Sequence, residues 1–435
     1  MLKEMHLRKV GPCDTLDAVF KPRLNLLTGD NGLGKSFLLD IAWWAMTRRW
    51  PHDLNKALVS GYVARPASAK EGSIEFVVAG KARKSVHYKS TYSPQDEAWI
   101  GKAGRPHNPG LVLYAMADGG FAVWDPARNY WKKVGNVDVQ ERVPAYVFGP
   151  RDVWDGLVDP DRGQLCNGLL SDWAGWQKEN GAAFQLLTRI LERLSPSSKD
   201  ILQPGPLTRI SLDDVRDIPT LQGASGKPVP VLHASSGVRR IIALAYLLVW
   251  SWQEHQKASE LLEEETTPQI VFLIDEIEAH LHPRWQRTIV SSLLAVTEEL
   301  AKDAQVQLLV ATHSPLVMAS LEPHFDAARD GWFDLDVIPR GQGTEVQFSE
   351  RNFTRQGDVS LWLISEAFDL GAPSSLEAEV ALAEASMIIG QLSDGEAVDQ
   401  ARIVNAETLL GKALSDTDAF WSRWRYALNH YGVVQ

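Results

Sequence analysis

One stretch, Gly29-Asp30-Asn31-Gly32-Leu33-Gly34-Lys35-Ser36, carries the residue types that bind phosphate. Its glycines allow backbone angles at which several N–H groups converge on one phosphate group. Lys35 is spaced to reach the β- and γ-phosphates, and the Ser36 hydroxyl to ligate Mg²⁺. The flanks decide whether this is more than a glycine turn. Leu24 to Leu27 reads as a short buried strand, and Phe37 to Trp44 has the apolar density of a helix. Strand, turn and helix start is the setting the motif needs, and the helix end adds partial positive charge. A nucleoside triphosphate bound by Asn31, Gly32, Gly34, Lys35 and Ser36 is the expectation.

Three further stretches follow in the order such chemistry needs. Ala234-Ser235-Ser236-Gly237-Val238 opens a strongly apolar helix expected to run to about Gln256. Its hydroxyls, glycine and free N–H groups again make an anion-binding helix start, though alone an N-cap without function explains it. Ile270 to Ile274 is an apolar run ended by Asp275 and Glu276, as in a buried parallel strand delivering carboxylates to its exit. Asp275 is placed to hold Mg²⁺, and Glu276 to polarise the water that attacks the γ-phosphate. Val306 to Ala311 is a second such run. It leads to His313, placed to contact the γ-phosphate and sense its loss. His280 and His282 invite a metal reading, but residues two apart do not share a helix face and no third ligand adjoins them. Asp152, Asp155, Asp159 and Asp161 read better as a polar loop than as a metal site.

Composition narrows the class. The chain has 435 residues, enough for one large core with an elaboration or for two domains. A hydrophobic content of 45% and a charged content of 23% suit an ordinary globular protein. Two cysteines, Cys13 and Cys166, build no disulfide framework, and the first residues resemble no signal peptide. The longest apolar run, Ile241 to Trp252, is too short to span a bilayer. A cytoplasmic location without membrane contact is expected. The net charge of −11 is uneven: residues 365–435 hold 11 acidic residues against four Lys or Arg, or −7 of it. Acidity therefore does not exclude a local basic groove for nucleic acid elsewhere. The 16 tryptophans are numerous, and those in apolar helical stretches (Trp43, Trp44, Trp50, Trp250, Trp252) suit core packing.

The remaining elements frame these stretches. Residues 1–28 alternate like two or three strands, 72–92 read as a hairpin, 111–124 as further strands and Pro144 to Pro150 as one more. Asn167 to Leu194 has helical spacing, and Pro196 to Pro230 is loop-rich. No sustained heptads lie between the phosphate loop and Ala234, so no long coiled coil is expected.

With these segments in order, the chain resembles an ATP-binding-cassette ATPase of the SMC-like type. In detail it is similar to compact bacterial antiphage ATPases of the overcoming-lysogenisation-defect, Septu and PARIS kinds. The resemblance implies an α/β fold: a P-loop ATPase head with a mixed sheet, a helical insertion and an acidic helical C-terminal region. Residues 1–350 would form the ATPase domain, subdivided 1–60, 61–230 and 231–350, with 351–435 as the tail. It also implies a homodimer closed around ATP, with Ser235, Ser236 and Gly237 of one copy covering ATP on the other. Glu276 and His313 would be catalytic, and Ser36 and Asp275 would hold Mg²⁺. Val238 stands where such families commonly carry Gln or Glu. The glutamine expected to reach Mg²⁺ from a loop after the middle strands is not evident, with Gln164 one choice.

In related enzymes the tail carries a metal-dependent nuclease. Here Asp416 and Asp418 form the one suitably spaced pair, in helical context without a strand, so partner docking or a solvated cap suits it better. Two functional classes follow: a motor or sensor that binds DNA and couples hydrolysis to a separately encoded nuclease or toxin, or a slow nucleotide switch that holds a partner. A DNA repair ATPase is the third.

Overall fold

The computed structural model describes residues 1–66, 72–80, 84–102, 104–142, 144–223, 226–300, 304–341 and 343–431. The continuous apolar runs become the parallel centre of an eight-stranded sheet. Its parallel strands are, in spatial order, Leu111–Ala115, Gln269–Ile274, Gln305–Ala311, Leu24–Gly29 and Asp330–Arg340. Such strands are covered on both faces, which is why they read as near-continuous apolar runs, broken only at buried residues such as Asn25 and Gln307, rather than as alternating ones. All six residues of Gln269–Ile274 are buried. Antiparallel strands close the two edges: Phe121–Trp124 and Ala145–Phe148 at one, Gly343–Arg351 at the other.

Register decides what meets at the exit edge. Ile274 lies beside both Ala115 and Val310, and Val310 beside Leu26. The residues that follow these strands, among them Asp275, Thr312 and the phosphate loop, therefore leave the sheet together. Helix Lys35–Thr47 continues from the loop and buries Leu38, Leu39, Ile41 and Ala42 in the main apolar core.

A second sheet of five antiparallel strands is built from Leu2–Arg8, Thr15–Val19, Ser73–Ala79, Ser85–Ser93 and Ala98–Gly101. The expected helical stretch after Asn167 is two helices, Gly168–Glu179 and Ala182–Arg193. The break has a local cause: Asn180 adopts a left-handed φ of 50° and Gly181 is extended. The helix opened by Ala234–Val238, hereafter the signature turn, runs Ser236–Leu261, past the expected Gln256, because Ala258 and Ser259 remain buried.

The chain divides into two compact units, Met1–Arg355 and Gln356–Gln435. The described part of the second unit is helical, with helices Val359–Leu363, Leu376–Ser393, Gln400–Ala413 and Phe420–His430. Its core gathers Ala385, Ile388, Ile403, Leu410 and Trp424. Asp418 accepts from Phe420 N in the turn before the last of these helices, and no strand supports the Asp416 and Asp418 pair among the described residues. No helix of the described residues is long and apolar enough to cross a membrane.

Candidate functional site

The phosphate loop is held open by its own backbone. Gly34 is the N-cap of helix Lys35–Thr47 at a left-handed φ of 96°, a conformation that side chains disfavour. No side chain caps this helix, and its first turn carries no carboxylate, so its N–H groups and positive end are left for an anion. Lys35 is 5% exposed. Its Nζ donates to the carbonyl oxygens of Gly29 at 2.7 Å and Asp30 at 2.9 Å. Burial lowers its pKa to about 8, while Asp275, Asp30, Glu278 and Glu276 oppose the shift. Two carbonyls are modest partners for a buried ammonium; phosphate oxygens would be stronger ones.

Asp275 emerges from the buried Gln269–Ile274 strand with 3% exposure. Burial raises its pKa to about 6, against the Ser36 hydrogen bond that lowers it. Its Oδ1 is buried and lacks a hydrogen-bond partner. A buried carboxylate oxygen without a partner is costly, and beside a serine hydroxyl it forms a hard-oxygen pair of the kind Mg²⁺ takes. The donor set therefore fits the ion expected on Ser36 and Asp275.

Glu276 follows at a left-handed φ of 46°, half-buried at the strand exit. Such a backbone costs a non-glycine residue on the order of 1 kcal/mol or more, and it re-aims the side chain relative to a continued strand. His313 sits half-buried beyond the Gln305–Ala311 strand, its pKa lowered by burial and by the Lys35 charge. Its imidazole is accordingly neutral at pH 7.

Glu278, which sequence reasoning assigned no role, ties these two exits together. Its Oε2 accepts from Thr312 Oγ1 at 2.7 Å and its Oε1 from His313 N at 2.5 Å. Only the acidic character of the Glu276–Glu278 turn hinted at this, because the partners lie 34 and 35 residues away. Ser314 extends the tie by donating to Gln286 Oε1 at 2.8 Å.

The signature turn meets the same loop from another side. Ser235 caps helix Ser236–Leu261 by accepting from Val238 N at 3.4 Å. A Cβ on Gly237 would lie 2.6 Å from the carbonyl oxygen of His280, so glycine is needed for this approach. Arg240, one turn on, donates to the carbonyls of Ala117, Asp275 and Glu276 at 3.0, 3.1 and 3.2 Å.

Gln164 is not part of this assembly. It stands on the Gly163–Cys166 strand, and its Nε2 donates to Cys166 O at 2.7 Å. The strand beside that of Asp275 is Leu111–Ala115, whose exit Met116–Gly120 contains no glutamine. That exit brings Asp118 instead, which caps its own turn by accepting from Gly120 N at 2.8 Å.

No group of three or more His, Cys, Asp or Glu able to hold a metal occurs among the described residues. His282 caps the short helix Pro283–Gln286. Asp152 accepts from Gly149 N, Asp155 pairs with Arg216, and Asp159 accepts from Arg162 N, so this polar stretch is engaged in local structure.

Residues 24–319 match a family model described as "AAA domain, putative AbiEii toxin, Type IV TA system". The retron Vc95 probable ATPase of Vibrio cholerae serotype O1 biovar El Tor is 31% identical over 97 residues, 22% of this chain and 17% of that protein. The retron Ec83 probable ATPase of Escherichia coli is 30% identical over 100 residues, 23% of this chain and 15% of that protein. The aligned region thus spans under a fifth of those relatives' length. Among solved structures, an Smc head bound to the C-terminal winged-helix domain of ScpA covers 80% of this chain and 98% of its own, at 15% identity and a TM-score of 0.42. The SMC head domain from Thermotoga maritima covers 80% of this chain and 98% of its own, at 13% identity and a TM-score of 0.37.

Proposed function

The chain belongs to the AAA domain family of the AbiEii type, and from that premise we propose that it hydrolyses ATP and that two copies close around ATP to signal to a separate effector. The observation that carries the reading is the partnerless Oδ1 of Asp275, buried beside Ser36 at the mouth of an uncapped helix start. In this scheme the N–H groups of Asn31, Gly32 and Gly34 and the Lys35 ammonium hold the phosphates. Ser36 and Asp275 hold Mg²⁺, which when bound offsets charge on the β- and γ-phosphates. Glu276 accepts the proton of the attacking water, and neutral His313 donates an N–H to the γ-phosphate. Ser235, Ser236 and Gly237 of the second copy complete the site from the far side of the triphosphate.

Hydrolysis removes the group that both copies hold, so the pair reopens. The open and closed pairs are the two states an effector would read. The retron ATPase relatives favour antiphage defence as the setting. In this reading the effector is a separately encoded nuclease or toxin. DNA is a candidate trigger. Light scattering on the Glu276→Gln chain tests the scheme. ATP and Mg²⁺ should double its mass while ADP does not; a mass indifferent to nucleotide contradicts it.

A further inference from the structure

At the far end of helix Lys35–Thr47, about 20 Å from the phosphate loop by helix rise, lies a pocket of about 360 Å³ with another chemistry. Its walls include Trp44, Tyr88, Trp99 and Trp131, and its cations are Arg48, Arg49, Lys102 and Arg105. None of its described lining residues is acidic. Asp138 approaches the rim behind Gly104 without lining the pocket.

Two features mark it as built for a ligand. Arg48 lies over the rings of Phe76 at 4.3 Å, Tyr88 at 4.6 Å and Trp44 at 5.2 Å, and it has no ion pair among the described residues. Burial lowers its pKa to about 10, so the guanidinium stays charged without an anion to match it. Trp124 lines the same pocket at 3% exposure, and its buried Nε1 has no acceptor. A half-buried cation without a counter-ion and a buried donor without an acceptor both ask for an acceptor that the described protein does not supply. One wall is also preset: Asn129 Oδ1 accepts from Trp131 Nε1 and Gln140 Nε2, while Arg49 donates to Gln140 Oε1.

Aromatic walls of this kind stack nucleobases, and clustered Arg and Lys take phosphate. The volume suits a single nucleotide better than a duplex. We propose that this pocket binds one nucleoside monophosphate unit, with its base among the tryptophans and its phosphate on Arg48, Lys102 and Arg105. The unit is either a free nucleotide or part of a single strand. This site is separate from the ATP site and does not rest on the function proposed for it.

The test is calorimetric titration of the full chain, unmodified and as Lys35→Ala, with AMP, with pentathymidylate and with inorganic phosphate. AMP, the pentamer or both should bind the two chains alike, at least tenfold tighter than phosphate does. Tighter AMP identifies a free nucleotide as the source, and a tighter pentamer identifies a strand. Lys102→Glu with Arg105→Glu, both at exposed positions, should weaken binding at least tenfold at an unchanged thermal midpoint, and Trp131→Ala should do the same. Failure of both nucleotide probes overturns the proposal. So does binding no tighter than phosphate, binding lost in Lys35→Ala, or affinity unchanged in both sets of variants.

Discussion

Glu278 accepts the backbone N–H of His313 at 2.5 Å, joining the turn that follows the carboxylate strand to the exit of the strand that delivers the histidine. The same carboxylate takes the Thr312 hydroxyl at 2.7 Å, so both oxygens are committed to one neighbouring loop. In the proposed scheme Glu276 and His313 work from the exits of separate strands, and this bridge ties those two exits together. Glu278→Ala should therefore lower kcat for ATP about tenfold or more, by misplacing groups rather than removing them. ATP affinity should change less than about threefold, since the phosphate loop is untouched. Steady-state kinetics with equilibrium nucleotide binding checks this, and a loss confined to KM would refute the positioning role.

Gly237 makes the second such contact. Its Cα faces the carbonyl of His280, where an added Cβ would sit 2.6 Å from the oxygen. Gly237→Ala must push the signature turn off the Ala279–His282 loop, at about 1–3 kcal/mol if the backbone gives way. A lower thermal midpoint with nucleotide binding retained, but ATP-dependent pairing lost, is the expected result by calorimetry and light scattering.

Much of this site was legible in the sequence because parallel strands are buried on both faces. Leu24 to Leu27, Ile270 to Ile274 and Val306 to Ala311 announce themselves as apolar runs, and the residue after each run has to emerge at a sheet edge. What joins these edges was not legible. The partners of Glu278 lie more than 30 residues away in sequence, and nothing local marks them. Gln164 was the wrong choice for a related reason. Only pairing shows that Leu111–Ala115, rather than the hairpin carrying Gln164, neighbours the carboxylate strand. The end of the signature helix was misjudged because apolar density fades after Trp252. Its last turns are held instead by buried Ala258 and Ser259 and by the surface pair of Lys257 with Glu254.

Asp40 gives a pH-dependent expectation. It lies on helix Lys35–Thr47, and Tyr114 donates its hydroxyl to it at 3.0 Å. Burial raises its pKa to about 7 despite that hydrogen bond, with Asp275 adding to the rise. A carboxyl raised above its unfolded value favours folding in its protonated form. Its contribution is complete below the unfolded value near 3.8 and is lost as pH rises through about 7. Between pH 5.5 and pH 8 this one group should cost about 2 kcal/mol of stability. Asp40→Asn, which keeps an acceptor for Tyr114, should raise the unfolding midpoint clearly more at pH 8 than at pH 5, with the gain vanishing only below the unfolded value near 3.8. Denaturant titration at the two pH values distinguishes this from a pH-independent packing effect.

Lys35 and Glu276 carry the central claim in opposite ways. Lys35→Ala removes a cation that is 5% exposed within the loop and should abolish ATP binding. Glu276→Gln leaves the loop intact and should bind ATP as well as the parent does. Its turnover should fall by two orders of magnitude or more, on the scale expected for loss of a general base. The most direct measurement is steady-state ATP turnover of the unmodified chain and Glu276→Gln, with and without linear duplex DNA. The account predicts turnover in the first, stimulated several-fold if DNA is the trigger, and near-background turnover in the second. Equal turnover by the two chains would contradict it.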